Sequence, residues 1–302
     1  MFDVIVIGGS YAGMSAAMQV ARGRRKVLVI DAGRRRNRFA KASHGFIGRD
    51  GQAPGDIAAE GRAQLSAYPE VTWVDGLAVS AGGSIDEFQV EMGNGRRFAG
   101  RRIVLATGVE DILPDLPGLE AQWGTGAATC PYCHGYELDR GRIGVLATGP
   151  HSMHHAMMLP EWGRTTFFTN GVLKLEPEQA EELARRGTAV EPTAIRAITG
   201  EPGSPVVQLD DGRSMPLDGL FVATCWRLSS PLAEMLDCAL DEGPLGPIVR
   251  TDALKQTSVE GVFACGDAAR FQASVALSVG DGALAGASAH RSIIFPPVRQ
   301  AA

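Results

Sequence analysis

Residues 1–31 narrow the possible folds of this chain more than any other stretch. Residues 3–7, DVIVI, are a short β-branched apolar run, suited to a parallel strand buried on both faces. The turn Gly8-Gly9-Ser10-Tyr11-Ala12-Gly13 follows, then a helical stretch, MSAAMQVARG, and a second apolar run, KVLVID, that ends in Asp31. Strand, glycine-rich turn, helix, strand and acid in that order describe a βαβ dinucleotide-binding unit. Gly8 permits the tight turn and Gly13 lets the helix pack closely on the strand. The helix N-terminus can hold a pyrophosphate. Asp31 stands 18 residues after Gly13, placed to accept hydrogen bonds from a ribose. Ser10 replaces the middle glycine of the usual pattern, so the flanking strand and acid carry the reading against that of a plain structural turn.

The chain has 302 residues, enough for two domains. With 45% hydrophobic and 21% charged residues it has the profile of an ordinary soluble globular protein. Net charge is 29 − 34 = −5, which argues against a general nucleic-acid surface. Arg22, Arg24, Arg25, Lys26, Arg34, Arg35, Arg36 and Arg38 nevertheless form a local basic cluster. It is either a solvated face or a means of neutralising a nearby pyrophosphate. The N-terminus lacks the basic region and long apolar run of a signal peptide, and no stretch of about 20 apolar residues spans a membrane. A cytoplasmic location is expected.

The chemistry centres on Cys130-Pro131-Tyr132-Cys133, followed by His134 and Gly135. Two cysteines separated by two residues can close a small disulfide ring, and a neighbouring group can lower one thiol's pKa so that a thiolate is available for exchange. His134 is such a group, able to stabilise a thiolate or move a proton near neutral pH. Structural zinc needs about four ligands, and there is no second CxxC pair. A static disulfide needs an oxidising compartment, and nothing directs export. A redox pair is the better reading, with no metal. Cys225, Cys238 and Cys265 have no motif around them and read as buried structural thiols.

Between these landmarks the chain alternates strands and helices. A helix is expected near 53–67, a strand at EVTWVDG and a hairpin at FQVEMGNGRRF. The buried strand RRIVLATG runs into Ala106-Thr107-Gly108, and the Pro-rich DILPDLPGLE then suggests that the chain leaves the first domain. After the dithiol, RIGVLAT, GPHSMHHAMMLPEWG and TTFFT repeat the layout of the first unit. The turn there is damaged. Ala147, Gly149 and Ser152 stand where three glycine or alanine positions belong, and Pro150, His151 and Met153 crowd the phosphate approach. Thr169-Asn170-Gly171 ends the next strand with neither an acid for an NAD ribose nor an arginine pair for an NADP phosphate. His154, His155 and Met153, Met157 and Met158 read as core or surface filling rather than as a metal or substrate site. A helix EPEQAEELARRG, a hairpin PVVQLDDGRSMPL and a strand GLFVATCW follow, and DEGPLGPIV offers a hinge back to the first domain. GVFACGDAA is an apolar strand ending in Gly266-Asp267, an acid suited to ribityl or sugar hydroxyls. The small-residue helix after it, starting near Val275, can direct backbone N–H groups at a flavin ring.

GGSYAG with Asp31, LATG, CPYC in the inserted part and GVFACGDAA with its helix occur in an order and spacing that closely resemble the low-molecular-weight thioredoxin reductase family, over nearly the whole chain. The resemblance implies an α/β fold of two Rossmann-like three-layer domains, the second inserted into the first. Residues 1–115 plus 245–302 would bind FAD, and 116–244 would carry the dithiol, in a homodimer. It implies cofactor contacts from Gly8, Ser10, Ala12, Gly13, Asp31, Ala32, Asn37, Thr107, Gly108, Gly266, Asp267 and Val275. Cys133 would face the flavin and Cys130 would be the interchange thiol. The departures point to a branch: His134 replaces the acid that follows the dithiol in ordinary thioredoxin reductases, and the NADPH motifs are degraded. CPYCHGYE is similar to the flavin-dependent dithiol oxidases, which form disulfides in small dithiols and pass electrons to molecular oxygen. The expected activity is therefore dithiol oxidation, with NADPH doubtful as a cofactor. The alternatives are a disulfide reductase serving a thioredoxin-like protein with NADPH or another donor, and a flavoprotein redox sensor without turnover.

Overall fold

The computed structural model describes residues 1–295. The chain opens with β1 (Phe2–Ile7), α1 (Tyr11–Arg22), β2 (Val27–Asp31), α2 (Pro54–Ser66), β3 (Val71–Asp75), β4 (Ala78–Gly82), β5 (Phe88–Met92) and β6 (Arg97–Leu105). β3, β2, β1 and β6 lie side by side in parallel, and β5 and β4 continue the sheet as an antiparallel meander. The long β6 serves both halves: Arg97–Gly100 pairs with β5, while Arg102–Leu105 continues along β1. Side chains alternate between the faces, as strand geometry requires. Val4, Val6, Val27, Val29 and Val104 meet the helices on one face, and Ile5, Ile7, Leu28, Ile30, Ile103 and Leu105 fill the other.

The chain continues through β7 (Val109–Ile112), α3 (Leu119–Gln122), β8 (Ala127–Ala128), α4 (Pro131–His134), β9 (Arg140–Leu146), α5 (Ser152–Met158), β10 (Gly163–Phe168), α6 (Pro177–Arg185) and β11 (Ala189–Glu191). Then come β12 (Ile195–Thr199), β13 (Val206–Leu209), β14 (Ser214–Pro216), β15 (Gly219–Val222) and β16 (Cys225–Leu228). β11-β10-β9-β15-β8 form a parallel sheet. One face packs Ile143, Val145, Phe167 and Phe221 against Ala156, Leu159 and Leu183 of the helical layer. The other packs Leu146, Phe168, Leu220 and Val222 against Ile195, Ile198, Val207 and Leu209, which come from the antiparallel β12-β13-β14 layer. Three layers result, helix, sheet and sheet.

The last part holds α7 (Leu232–Met235), β17 (Leu240–Gly243), β18 (Gly246–Val249), β19 (Val262–Ala264) and α8 (Val275–Ile294). β19 joins the first sheet beside β6. α8 lies against α1 through small residues. A methyl group at Gly282 would fall on the Ala12 carbonyl, and one at Gly286 on that of Ala16. The Ser15 hydroxyl donates to Val279 O at 2.7 Å across the same seam. Ser274 caps α8 by accepting from Leu277 N–H at 3.1 Å, a bond whose loss typically costs about 1 kcal/mol. Asp281, buried on α8, pairs with Lys255 at 2.9 Å and Arg270 at 2.7 Å, tying the start of the helix to the loops beside it.

Two compact units result: one of Met1–Arg36, Pro54–Glu110 and the chain from Trp226 onward, the other of Asn37–Ala53 and Asp111–Cys225. The chain therefore returns to the first unit well before position 245. Trp226 is buried with Val109 and Ile248, and its indole N–H donates to Pro247 O at 3.1 Å. The Gly/Pro run read as a hinge is the β17–β18 hairpin, with Asp241 paired to Ile248. Residues 37–53 also leave the first unit, because His44 and Phe39 contact Glu137 and Gly124 of the second. No helix among the described residues is long and apolar enough to cross a membrane.

The α1–α8 seam gives a stability test. Gly282→Ala forces a methyl group onto a helix backbone that cannot yield, where overpacking typically costs about 1–3 kcal/mol. The urea midpoint is expected to fall accordingly, with the slope unchanged.

Candidate active site

The first candidate site lies at the carboxyl ends of the first unit's strands. Ile7 and Ala264 both pair with Leu105, so Gly8, Ala106 and Cys265 leave the sheet side by side. Open α/β sheets bind ligands at this edge. The backbone is drawn tight here. Gly8 has φ 103°, and a side chain on it would strike the Ala106 carbonyl, while one on Gly13 would strike Gly8 O. Gly9 N–H donates to Asp31 Oδ1 at 3.1 Å, which pins the acid at the end of β2 to the turn. Ala32 continues from that acid. The first turn of α1, with Ser10 and Ala12 small, presents the positive end of the helix dipole at this edge, which favours an anion.

Thr107 and Gly108 follow β6, and at Gly108, with φ 70°, the side-chain position faces open space. Gly266 and Asp267 follow β19. Asp267 Oδ2 accepts from Arg36 at 3.0 Å and Oδ1 from the Ser278 hydroxyl at 3.3 Å. The Arg36 guanidinium also lies 5.9 Å over the Trp226 ring. Val275 is the first residue of α8. A backbone cradle at a helix N-terminus, with an acid at each of two strand ends, fits a group that carries a pyrophosphate and polyhydroxyl chains. Of the sequence-predicted residues, only Asn37 falls in the other unit.

The basic cluster is not one face. Arg22 donates to the Tyr68 hydroxyl, Arg24 pairs with Glu70, Arg25 with Asp3 and Arg36 with Asp267, whereas Arg34 is largely exposed.

The second candidate site is the dithiol. Cys130 and Cys133 form a disulfide with Cα atoms 5.3 Å apart. Cys130 is extended, as the residue before a proline must be, and Pro131 opens the short α4 that carries Cys133 and His134. Gly135 N–H closes the turn on Pro131 O at 2.7 Å, and the Trp162 ring leaves no space for a side chain at Gly135. Tyr132 is exposed and meets Trp162 edge-on, and Tyr136 is exposed just beyond. Burial holds the His134 imidazole below its ordinary pKa, the Glu137 carboxylate opposes that shift, and His44 adds to it.

The α5 turn is built differently from the α1 turn. Ser152 Oγ accepts Thr148 N–H at 2.9 Å, and the N–H groups of Ser152, Met153 and His154 all fold back onto Gly149, Pro150 and His151 carbonyls. The donors that would hold a phosphate are already engaged. At the end of β10 the Asn170 side chain accepts Ile195 N–H at 2.7 Å. Glu191, at the end of β11, is held at about pKa 2 by Arg213, 2.6 Å away. Met153 is buried and His154 exposed. His155 is partly buried, and burial lowers its pKa to about 4.

The chain matches the family described as pyridine nucleotide-disulphide oxidoreductase over residues 2–285. It belongs to that family. It is 32% identical over 307 residues to thioredoxin reductase tcpT of Claviceps purpurea (strain 20.1), covering 97% of this chain and 94% of the relative. An oxidoreductase from Agrobacterium tumefaciens has a solved structure with TM-score 0.95 and 55% identity, covering 98% of this chain and 99% of that one. The crystal structure of HlmI superposes with TM-score 0.90 at 33% identity, covering 97% and 92%. The protein is thus a thioredoxin reductase-like enzyme of a FAD-dependent family, with the two-domain fold that the sequence implied.

Sequence reasoning missed His44, a lone histidine in a polar loop with no local signal. It also misplaced Cys225, which is exposed, not buried: β16 alternates, so Trp226 turns inward and Cys225 outward. Cys265 is fully buried, its thiol pushed up to about 12 by burial. A thiol-specific reagent is therefore expected to titrate one cysteine rapidly in the native, non-reduced protein. It should find three after unfolding, and two more once dithiothreitol has opened Cys130–Cys133.

Proposed function

We propose that this enzyme is a dithiol oxidase, forming a disulfide in a small dithiol substrate and delivering the electrons to molecular oxygen. The observation that carries the reading is the contrast between the two nucleotide-binding units. The first keeps a glycine-lined turn at a helix N-terminus with acids at two strand ends. In the second, Ser152 and the turn carbonyls consume the donors, and Asn170 is spent on Ile195 N–H. This turn disfavours a nicotinamide cofactor and supports electron entry through the disulfide.

In this reading a substrate thiolate attacks Cys130 Sγ. The Cys130–Cys133 bond breaks and Cys133 leaves as a thiolate. The second substrate thiol loses its proton to His134 and attacks the substrate sulfur bonded to Cys130. Substrate departs as a disulfide and Cys130 as a thiolate, so two electrons have passed to the cysteine pair and two protons have left the substrate. Gly8, Ser10, Ala12, Gly13, Asp31, Ala32, Thr107, Gly108, Gly266, Asp267 and Val275 would hold FAD. Bound FAD supplies the two-electron acceptor that restores the disulfide, with oxygen as terminal acceptor and hydrogen peroxide as product.

The test is anaerobic mixing of the yellow protein with dithiothreitol, NADPH or NADH in separate cuvettes. Dithiothreitol is expected to bleach the flavin within seconds and the nicotinamides to leave it oxidised. In air, dithiothreitol should drive steady oxygen consumption, which Cys130→Ser and Cys133→Ser each lower by at least about a hundredfold, the scale of losing a nucleophile. Rapid bleaching by micromolar NADPH, with dithiols inert, would instead establish a reductase.

A further inference from the structure

The loop of residues 37–53 lies within the disulfide-bearing unit, although it is far from the cysteines in sequence. It is a closed structure of its own. Ser43 N–H donates to Gln52 O at 2.8 Å, and Gly51 N–H returns to Ser43 O at 2.9 Å. Inside this closure His44 is mostly buried, its side chain 21% exposed. Its Nδ1 lies 3.4 Å from Glu137 Oε1 and 3.7 Å from Asp50 Oδ1. Asp50 is in turn held by Gly45 N–H at 2.8 Å. Glu137 stands three residues after His134, on the single turn of 3₁₀ helix that directly follows α4.

Glu137 therefore meets the His44 imidazole from the loop and lies one turn on from His134, which follows Cys133. The charged groups that act on His134 among the described residues are Glu137, which favours its protonated form, and His44, which opposes it. Those facing His44 are Glu137 and Asp50. Exposed carboxylates on short turns sample many rotamers, and their influence on a neighbour is averaged down by solvent. A fixed partner removes that averaging.

We propose that His44 is a positioning residue of the dithiol centre: it holds Glu137 beside His134 and so sets the pH range over which thiol exchange runs. The inference rests on the reading of His134 as the proton acceptor in that exchange. His44 itself takes no proton from substrate in this scheme.

With His134 as the acceptor, exchange accelerates as pH rises through its titration. Loss of the Glu137 charge favours the neutral imidazole, so that limb moves to lower pH. The experiment measures the anaerobic rate of flavin bleaching by dithiothreitol from pH 5 to 9 in the full-length FAD-loaded protein, for wild type, Glu137→Gln, His44→Ala and the double variant. Glu137→Gln is expected to shift the limb down by roughly one unit, the scale of one nearby carboxylate. His44→Ala also removes the direct opposing effect of His44 on His134, so its shift is read in both backgrounds. With Glu137 present it should lie lower than the shift it causes in the Glu137→Gln background, where no carboxylate is left to position. A merely structural role for His44 would scale the rate at every pH and shift the limb equally in both backgrounds, and that outcome would overturn the proposal.

NMR titration of the His134 ring in the oxidised protein reads the same coupling without turnover. If dithiothreitol fails to bleach wild type, the dithiol-oxidase reading fails by itself. The His134 titration, compared among the same four proteins, still decides the role of His44.

Discussion

The structure depends on how closely backbones approach around the first turn of α1. Gly13 touches Gly8 O, Gly8 touches the Ala106 carbonyl, and Gly282 of α8 lies on Ala12 O. No side chain intervenes at any of these points. Three strands adjacent in the sheet and two helices are thereby drawn onto one short stretch of chain, and the carboxyl ends of β1, β6 and β19 converge. The apolar faces of the sheet supply the driving force. The missing side chains determine where the layers come to rest, and Asp31 and Asp267 are brought to one edge only because the strands that carry them are held at this spacing.

The second unit applies the same topology to another end. β9, β10, β11 and β15 form the parallel frame of a nucleotide-binding domain, yet the turn into α5 satisfies itself. At the edge of that sheet β8 pairs with β15 through Leu220↔Ala127 and Phe221↔Ala128, and two residues later the chain reaches Cys130. The carboxyl edge, where parallel sheets concentrate function, delivers a sulfur pair here rather than a phosphate site. Gly144 shows the fit of the frame behind it: a side chain there would collide with Leu217 and Leu220.

Much of this was legible in the sequence because it is local. DVIVI, KVLVID, RIGVLAT and GVFACG read as buried strands because both faces of a parallel sheet are covered, which leaves continuous apolar runs. The turn at 8–13 and the dithiol are encoded in adjacent residues. What stayed hidden depends on distant partners. Nothing in residues 37–53 announces that they join the disulfide unit, since the contacts of Phe39 and His44 reach Gly124 and Glu137, far along the chain. The Gly and Pro residues of 243–247 signal a turn, but only Trp226, buried through its bond to Pro247, shows that the turn belongs to a hairpin inside the first unit. Arg36 read as one member of a basic cluster; its partner Asp267 lies at the other end of the sequence.

Cys130, Cys133, His134, Glu137, His44 and Asp50 all belong to one compact unit, so their mutual geometry is fixed by that unit's own fold. The residues proposed to cradle the cofactor belong to the other. Sulfur exchange and proton transfer must be matched at each step, because a thiolate is a competent nucleophile only once its proton has gone. Electron transfer to a bound acceptor has no such need for a nearby base. A chain that keeps its histidines and carboxylates with its cysteines therefore holds the proton chemistry and the sulfurs in one unit. In the role proposed for His44, the loop at 37–53 contributes to that chemistry through Glu137.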